Sequence, residues 1–419
     1  LRKQRMPKWT KKAALVCLLA FGLTVAASMA LTLSPAGPDP LLLASLALLQ
    51  PAAVVAAWAS LLPLARRLKS KVFAAARARR AALDGVTVIG IAGSVGKTTA
   101  KELLRLALRD LDPLTTPAHV NTEMGVAQWL LRETAGGRKP DVLIVEMGAY
   151  REGEIALLAE VIRPTLGVLT AVGSDHLALF GSEEAIVRAN GELLAALPAD
   201  GAAFVYADSD GAREAARLAR CPVTFCGHRE EAEVRPAAFA EEENGIRLPI
   251  NGQGLRVPLP GRPSAGNPLL AWAVARRLGT APARIAELLA EFSPLPGTFR
   301  PQARGTVTVV DDTYNVSPLS FRAALDWAAS RDRRPRTLLT SGLLETGAEE
   351  DRFLRELGAL AAESVERAIF TADRGRAAFA AGFGKEVELL SEKTPKVPEN
   401  SLLLCVGRMP PSSIRAVLP

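Results

Sequence analysis

The sequence VTVIGIAGSVGKTT occupies residues 86–99. Its first half, residues 86–92, is an uncharged run rich in β-branched residues, which predicts a buried strand. The second half, residues 93–99, is rich in glycine, and the Ala, Leu, Lys and Arg residues that follow predict a helix over about 98–110. Strand, glycine loop and helix in this order are the context that a phosphate-binding loop requires.

Each residue type in this loop has a chemical reason to be there. Gly93 and Gly96 let backbone N–H groups approach phosphate oxygens, and the helix N-terminus adds positive potential. Lys97 would neutralise charge on the β- and γ-phosphates, and the Thr98 hydroxyl could bind Mg²⁺. The loop is a shortened variant, because Ile91 stands where the first glycine of the longer Walker pattern would fall. The alternative is a glycine-rich turn that binds nothing.

Two further strand patterns end in residues that suit a metal site. The run 141–145 leads to Glu146, and a carboxylate at the carboxyl end of a parallel strand beside a phosphate loop is well placed to hold Mg²⁺. The run 166–171 leads to His176. Taken alone, Glu146 could equally be a solvated strand end, and His176 a structural histidine.

The rest of the chain after residue 86 predicts an α/β fold with a mostly parallel sheet. A polar, Gly- and Pro-punctuated segment at 232–260 and helical patterns at 267–278 and 281–293 precede a plausible hinge at 293–297. Strand and helix patterns then alternate at 305–311, 317–330, 336–341, 349–364, 367–371 and 401–406.

Composition and charge exclude several classes of protein. The 419 residues are 49% hydrophobic and 23% charged, which excludes wholesale disorder, and four scattered cysteines exclude a disulfide scaffold. Three histidines exclude a His-rich metal site. The net charge of +7 comes from residues 1–80, which carry +12, so residues 81–419 carry −5. A mildly acidic body does not favour nucleic-acid binding.

The N-terminal charges flank two uncharged apolar stretches, residues 13–33 and 41–65. Each is about as long as the roughly 20 residues that cross a bilayer as a helix. We therefore predict a two-helix transmembrane hairpin in residues 1–84, with the lipid bilayer as a partner. Since the connecting segment 34–40 lacks Lys and Arg, the positive-inside rule puts it outside the cytoplasmic membrane and the catalytic domains in the cytoplasm. A cleaved signal peptide ending near Ala30 and a buried soluble hairpin are the alternatives.

Seven short motifs occur in order after residue 85. They are GSVGKTT (93–99), NTEMG (121–125), EMGA with GEI (146–149, 153–155), SDH with LFGS (174–176, 179–182), Asn267, DDTYN with Pro318 and Ser320 (311–315), and GLLETG (342–347). Together they resemble the Mur ligase family, ATP-dependent amide ligases of peptidoglycan assembly. The last two motifs resemble the members that add D-alanyl-D-alanine. The resemblance covers roughly residues 85–419.

The resemblance implies a domain order and a set of site residues. It implies a central P-loop Mur ligase ATPase domain at 85–295 and a C-terminal Rossmann-like domain at 296–419. The implied catalytic residues are Lys97, Glu146, His176 and Arg300. The implied ATP contacts are Gly93, Ser94, Gly96, Lys97, Thr98, Thr99, Asn267, Asp312, Tyr314 and Asn315. The implied Mg²⁺ ligands are Thr98, Glu146, His176 and Asn190.

The implied reaction activates a carboxylate donor with the γ-phosphoryl group of ATP, and an amine then attacks the acyl phosphate. This chain departs from the family pattern at Asn190, where a carbamylated lysine is usual, and at Val406, where a lysine is expected. The membrane hairpin stands where the family has a UDP-sugar-binding domain, so a lipid-linked precursor or an anionic polymer is a candidate donor. The alternative function is a degenerate ATP-binding scaffold or regulator that meets other envelope-synthesis enzymes at the membrane. An unrelated P-loop ATPase or kinase also remains open.

Overall fold

A computed structural model describes residues 10–33, 41, 50–242, 245–314, 316–332 and 334–419. The chain divides into two compact units, residues 1–75 and 76–419, which are described separately. Asn315 and the connecting segment 34–40 lie outside the described residues.

In the described residues of the first unit lie α1 (Lys11–Thr32) and the beginning of α2 (Gln50–Ala81). They pack through the buried side chains of Val16, Ala20 and Ala57, and Gln50 Nε2 donates to Thr24 Oγ1 at 3.0 Å. Within the described part of the chain, one helix is long and apolar enough to cross a membrane, at Ala13–Ala30. The second predicted span, 41–65, falls partly outside the described residues, so the transmembrane hairpin stays a prediction.

The first sheet of the second unit is parallel, with the order β2-β3-β1-β4-β5-β6. The chain leaves β1 to build one side of the sheet and later returns to build the other side. This reversal places the end of β1 at the switch point where open α/β sheets bind ligands. The strands are β1 (Thr87–Ala92), β2 (Pro113–Thr115), β3 (Val142–Glu146), β4 (Leu166–Leu169), β5 (Ala202–Tyr206) and β6 (Val223–Cys226).

Helices cover this sheet because their apolar residues recur at helical spacing. In α3 (Lys97–Ala107), the buried positions Ala100, Leu103, Leu104 and Ala107 face the sheet. The other helices up to residue 290 are α4 (Glu123–Glu133), α5 (Glu154–Ile162), α6 (Leu177–Phe180), α7 (Glu183–Ala195), α8 (Asp210–Ala216), α9 (Gly266–Arg277) and α10 (Pro282–Ala290).

An antiparallel three-stranded sheet packs into the same core. It contains β7 (Ala240–Glu242), β8 (Gly245–Ile250) and β9 (Gln253–Val257). The buried residues Ile246, Leu248 and Leu255 join the hydrophobic cluster that includes α3 and α9.

The second six-stranded sheet has the order β10-β11-β15-β12-β13-β14, parallel except for the β10–β11 pair. Its strands are β10 (Arg300–Arg304), β11 (Val307–Asp312), β12 (Arg336–Thr340), β13 (Arg367–Phe370), β14 (Glu388–Leu389) and β15 (Leu402–Val406). Its helices are α11 (Pro318–Ala329), α12 (Glu350–Ser364), α13 (Arg376–Phe383) and α14 (Pro411–Val417). The mixed α/β architecture agrees with the sequence prediction. The domain division near residue 295 stays a prediction, since residues 76–419 form one compact unit.

Candidate active site

The phosphate loop closes over the carboxyl end of β1. Gly93 has a φ angle of 135°, in the region that favours glycine. A Cβ atom at this position would lie 2.1 Å from Thr170 Oγ1, so no side chain fits there. The N–H groups of Ser94 and Val95 both donate to the carbonyl oxygen of Ala171, at 2.8 and 3.1 Å. These hydrogen bonds and the tight packing at Gly93 define the shape of the loop.

The cationic and hydroxyl groups of the loop are at the start of α3. The ammonium group of Lys97 donates to the carbonyl oxygens of Gly93 and Ser94. The Thr98 hydroxyl donates to Glu146 Oε1 at 3.2 Å, and Thr99 is half-buried in the same helical turn. The positive end of α3 and the Lys97 ammonium thus meet where phosphate charge would be bound.

Glu146 ends β3 and is held by a residue that the sequence reasoning missed. Lys101 Nζ lies 3.2 Å from Glu146 Oε2, and both side chains are almost fully buried, at 1% and 7% exposure. Asn121 Nδ2 donates to Glu146 Oε1 at 3.5 Å. The sequence spacing could have indicated Lys101, because it follows Lys97 by one turn of α3 and lies on the same face of the helix. The lysine fixes one carboxylate oxygen and leaves the other beside Thr98.

The donor set fits one magnesium ion. Mg²⁺ prefers oxygen ligands, and the Thr98 hydroxyl and Glu146 Oε1 are oxygens 3.2 Å apart beside the loop. In the described residues, no group of three or more His, Cys, Asp or Glu side chains is placed to hold a metal ion.

His176 precedes α6 and contacts the C-terminal region of the chain. Its Nδ1 pairs with Glu345 Oε2, and the Ala178 N–H donates to the carbonyl oxygen of Glu345 at 2.9 Å. The neighbouring Asp175 is buried, and burial raises the pKa of its carboxyl in spite of the nearby Lys97. The sequence reasoning included GLLETG as a motif but did not assign a role to Glu345.

Asn190 lies on α7 and is buried beneath the loop. Its Oδ1 accepts a hydrogen bond from the Gly93 N–H at 2.7 Å, and its Nδ2 donates to the carbonyl oxygen of Ile186 at 2.8 Å. The predicted metal-ligating oxygen is therefore already engaged with the loop backbone.

A small cavity of about 50 Å³ lies against the loop. It brings together five of the predicted site residues, which are Gly93, Ser94, Lys97, His176 and Asn190. Every described residue that lines it comes before residue 191.

The predicted residues of the second sheet lie apart from this cavity. Arg300 begins β10, opposite Asp311 in the β10–β11 pair. Asp312 ends β11 and is buried, and its Oδ1 accepts the Phe299 N–H at 3.1 Å. Burial raises the pKa of the Asp312 carboxyl to about 7.

Tyr314 follows β11 of the second sheet and contacts a residue near the first sheet. Its hydroxyl lies 2.9 Å from His119 Nδ1, and the two rings are stacked with centroids 5.6 Å apart. Nothing in the sequence marked His119 for this contact. The next residue, Asn315, cannot be placed because it lies outside the described residues.

A larger cavity, of about 590 Å³, lies beside the phosphate loop rather than over it. Asn267 and its neighbour Gly266 lie between the loop and this cavity. A Cβ atom on Gly96 would lie 2.8 Å from Asn267 Nδ2, and one on Gly266 would lie 2.4 Å from the Tyr206 ring. Tyr206 lines the larger cavity together with His228, Phe239, Arg262, Glu241 and Trp327. The His228 Nε2 atom is buried and has no hydrogen-bond partner among the described residues.

Comparison with known proteins gives a consistent result. Residues 91–275 match the Mur ligase middle domain. A UDP-N-acetylmuramoyl-tripeptide–D-alanyl-D-alanine ligase of Synechocystis is 34% identical over 275 residues, which are 65% of this chain and 59% of the relative. The ligase of the same name from Escherichia coli is 28% identical over 330 residues, which are 76% of this chain and 71% of the relative. The chain thus spans about three fifths of the Synechocystis relative.

Solved structures show the same fold. The MurF ligase of Thermotoga maritima, crystallised in complex with ADP, matches with a TM-score of 0.73 and 24% identity. The match covers 83% of this chain and 82% of that one. MurF of Acinetobacter baumannii also gives a TM-score of 0.73, at 22% identity, over 81% of this chain and 77% of that one.

Proposed function

This chain belongs to the Mur ligase family and is similar to MurF, and we propose from that premise that it is an ATP-dependent, ADP-forming amide ligase of cell-envelope assembly. The observation that carries the proposal is the preformed phosphate loop with the Thr98 hydroxyl and the Glu146 carboxylate beside it. This arrangement lies within the region that matches the family's middle domain.

The proposed reaction has two steps. A carboxylate oxygen of the donor attacks the γ-phosphorus of ATP, ADP leaves, and an acyl phosphate forms. The amine then attacks the acyl carbon, inorganic phosphate leaves, and the amine nitrogen loses a proton. Because charge spreads over the phosphoryl oxygens in the first step, the enzyme contributes mainly positioning and electrostatic stabilisation.

Residues of the loop, of α3 and of the neighbouring strand end have different proposed roles in this reaction. The loop N–H groups and the start of α3 bind phosphate oxygens, and the Lys97 ammonium moves from the loop carbonyls to the phosphates. Thr98 and Glu146 would hold Mg²⁺, which supplies charge neutralisation at the phosphoryl group when bound. Lys101 keeps the Glu146 carboxylate in place. His176 also lines the small cavity, where we place the acyl group.

We place the adenosine of ATP in the larger cavity. Asn267 touches Gly96 of the loop, and its neighbour Gly266 touches Tyr206 of the cavity wall. A nucleotide could therefore extend from the loop past Asn267 to the aromatic rings of Phe239 and Trp327. Replacing Trp327 by phenylalanine should weaken ADP binding several-fold, whereas Trp58→Phe in the N-terminal helices should not.

The second-sheet residues have proposed roles that follow the resemblance. Arg300 would contact the developing negative charge, and Asp312 the ribose hydroxyls. Tyr314 and Asn315 would lie near the nucleotide or the incoming amine. These roles require movement of the second sheet toward the loop, since none of these residues lines the small cavity within the described chain.

The amine and the donor are proposed from the relatives and from the N-terminal helices. The relatives are named for adding D-alanyl-D-alanine to a UDP-linked muramoyl tripeptide, so this dipeptide is the first amine to test. The apolar side chains of Leu18, Phe21 and Val55 are exposed at 68%, 68% and 61%. Such a surface suits lipid contact, so we propose a two-pass anchor in the cytoplasmic membrane and a lipid-linked donor.

A second candidate function is an ATP-binding scaffold of envelope synthesis. It is favoured by the neutral Asn190, whose oxygen is engaged with Gly93, at the position where the family has an anionic ligand. The intact Lys97, Thr98 and Glu146 favour the ligase.

The test is ADP release by the full-length protein in detergent with Mg-ATP. D-alanyl-D-alanine and single amino acids are screened against soluble and lipid-linked envelope precursors. Lys97→Ala is the blank, and Lys139→Ala, at an exposed loop position, is the matched control. A ligase requires both a donor and an amine for turnover, and Lys97→Ala should lower the rate on the order of a hundredfold or more. ATP binding without turnover on any pair supports the scaffold, and turnover that ignores donor and amine contradicts both.

A further inference from the structure

The strongest unexplained contact of the site is the one between α7 and the phosphate loop. Gly93 is buried, and a buried backbone N–H requires a hydrogen-bond acceptor. The acceptor is Asn190 Oδ1, at 2.7 Å. The other amide atom, Nδ2, is bonded to the carbonyl oxygen of Ile186 at 2.8 Å. Both ends of the Asn190 side chain are thus committed to backbone groups.

We propose that Asn190 is a positioning residue that holds the phosphate loop in its nucleotide-binding shape, and that it does not bind the metal ion. The proposal rests on the proposed nucleotide binding and deepens it. It also replaces the expectation that Asn190 supplies a metal-ligating carbonyl oxygen.

The loop is held from two sides, and each side fixes a different peptide. On one side, the carbonyl oxygen of Ala171 after β4 accepts from Ser94 and Val95. On the other side, Asn190 accepts from Gly93. The Gly93 carbonyl is bonded to the Lys97 ammonium, a contact that is lost when the lysine turns to a phosphate. The bond from Asn190 to the Gly93 N–H, which belongs to the preceding peptide, does not depend on that lysine.

The chemistry of asparagine suits this position. A leucine of similar size would leave the buried Gly93 N–H without an acceptor, which destabilises the loop. An aspartate would accept the hydrogen bond, but it would also place a negative charge beneath bound phosphates. The amide supplies an acceptor without that repulsion.

The first experiment is hydrogen–deuterium exchange of the nucleotide-free, full-length protein in EDTA. Asn190→Leu should accelerate exchange at residues 93–95 by roughly tenfold or more, because the loop loses one of its anchors. Asn190→Asp should keep these amides protected, since it retains the acceptor. Thr134→Val is the matched control, because it removes another buried side-chain bond, the one from Thr134 Oγ1 to the Leu130 carbonyl oxygen at 2.6 Å.

Unchanged exchange at residues 93–95 in Asn190→Leu would overturn the proposal. Equal acceleration in Asn190→Asp would overturn it as well, because it would show that packing rather than the acceptor matters. Loss of protection throughout β1 in Asn190→Leu would mean that the leucine disturbs the fold. In that case Asn190→Ala is measured instead, because it removes the same acceptor without adding a branched side chain.

The second experiment measures ADP binding in EDTA and in Mg²⁺. A positioning role predicts that Asn190→Leu weakens ADP binding roughly tenfold in both conditions. A metal ligand predicts a loss in Mg²⁺ only, and that result would overturn the proposal. Lys97→Ala separates this proposal from the proposed function. If the wild type binds no ADP, or if Lys97→Ala binds it equally well, the nucleotide site is wrong, whereas the exchange result still decides what Asn190 holds.

Discussion

The phosphate loop and the second-sheet region (residues 300–417) are attached to the rest of the site in different ways. The loop is bonded through its backbone N–H groups to Ala171 and to the buried side chain of Asn190. The second-sheet region contacts the site through Glu345, whose carbonyl oxygen accepts from the Ala178 N–H and whose side chain is 49% exposed, and through Tyr314, which is 41% exposed. Buried backbone bonds persist without a ligand, whereas exposed pairs form and break easily. We infer that phosphate binding is preformed and that the amide-forming arrangement is assembled by domain movement.

The largest effect is expected at a buried contact of the site, the pair of Lys101 and Glu146. Lys101→Met leaves the buried Glu146 carboxylate without its cation, which should lower the free energy of unfolding by about 3–5 kcal/mol. The measurement is urea unfolding in EDTA, followed by tryptophan fluorescence. Lys139→Met is the surface control. A loss below about 1 kcal/mol, the range of an exposed pair, would mean that this site is no more tightly built than the contacts of Glu345.

A second prediction concerns Asp312, the buried carboxylate among the predicted nucleotide contacts. Burial raises the pKa of its carboxyl from 3.8 to about 7, so the folded protein favours the protonated form. This contribution to stability is full below about pH 4 and is lost as the pH rises through about 7. Asparagine cannot ionise and still accepts the Phe299 N–H. Asp312→Asn should therefore gain stability relative to the wild type between pH 5 and pH 8, by about 2–4 kcal/mol.

The measurement for Asp312 is thermal unfolding of both proteins across this pH range. Parallel pH profiles would show that the carboxyl is solvated, and the second-sheet region would then lack a buried polar group at its predicted nucleotide contact.

A smaller effect is expected at the exposed pair. Glu345→Gln weakens the orientation of His176, so kcat for amide formation should fall roughly tenfold while KM for ATP stays unchanged. Glu349→Gln is the control, because Glu349 pairs with Arg352 at 2.6 Å within its own segment. A rise in KM for ATP with unchanged kcat would show that Glu345 acts on nucleotide binding, which would contradict its assignment to the amide-forming arrangement.

The sequence predicted most of the regular structure around the loop. The strand expected at 86–92 is Thr87–Ala92, and the helix expected at 98–110 is Lys97–Ala107. In the second sheet, the strand expected at 336–341 is Arg336–Thr340. These elements have strong local signals, because a buried strand or an amphipathic helix repeats its apolar residues at a fixed spacing.

The pairs that complete the site were not predictable in the same way. Lys101 and Glu146 are 45 positions apart, and Glu345 is 169 positions from His176. Only the order of strands in the sheets brings such residues together. The sequence pointed to Asn190 as a metal ligand but did not indicate its hydrogen-bond partner, because a bond to the Gly93 backbone leaves no trace in the pattern of side chains.

The most direct test of the central claim is the affinity for ADP of the double variant Glu345→Gln, Tyr314→Phe, measured in Mg²⁺ beside the turnover of the same protein. If phosphate binding is preformed, the Kd for ADP stays within about twofold of the wild type, while turnover falls roughly tenfold or more. A Kd that rises in parallel with the loss of turnover would contradict the account, because the Glu345 and Tyr314 contacts would then be part of nucleotide binding itself.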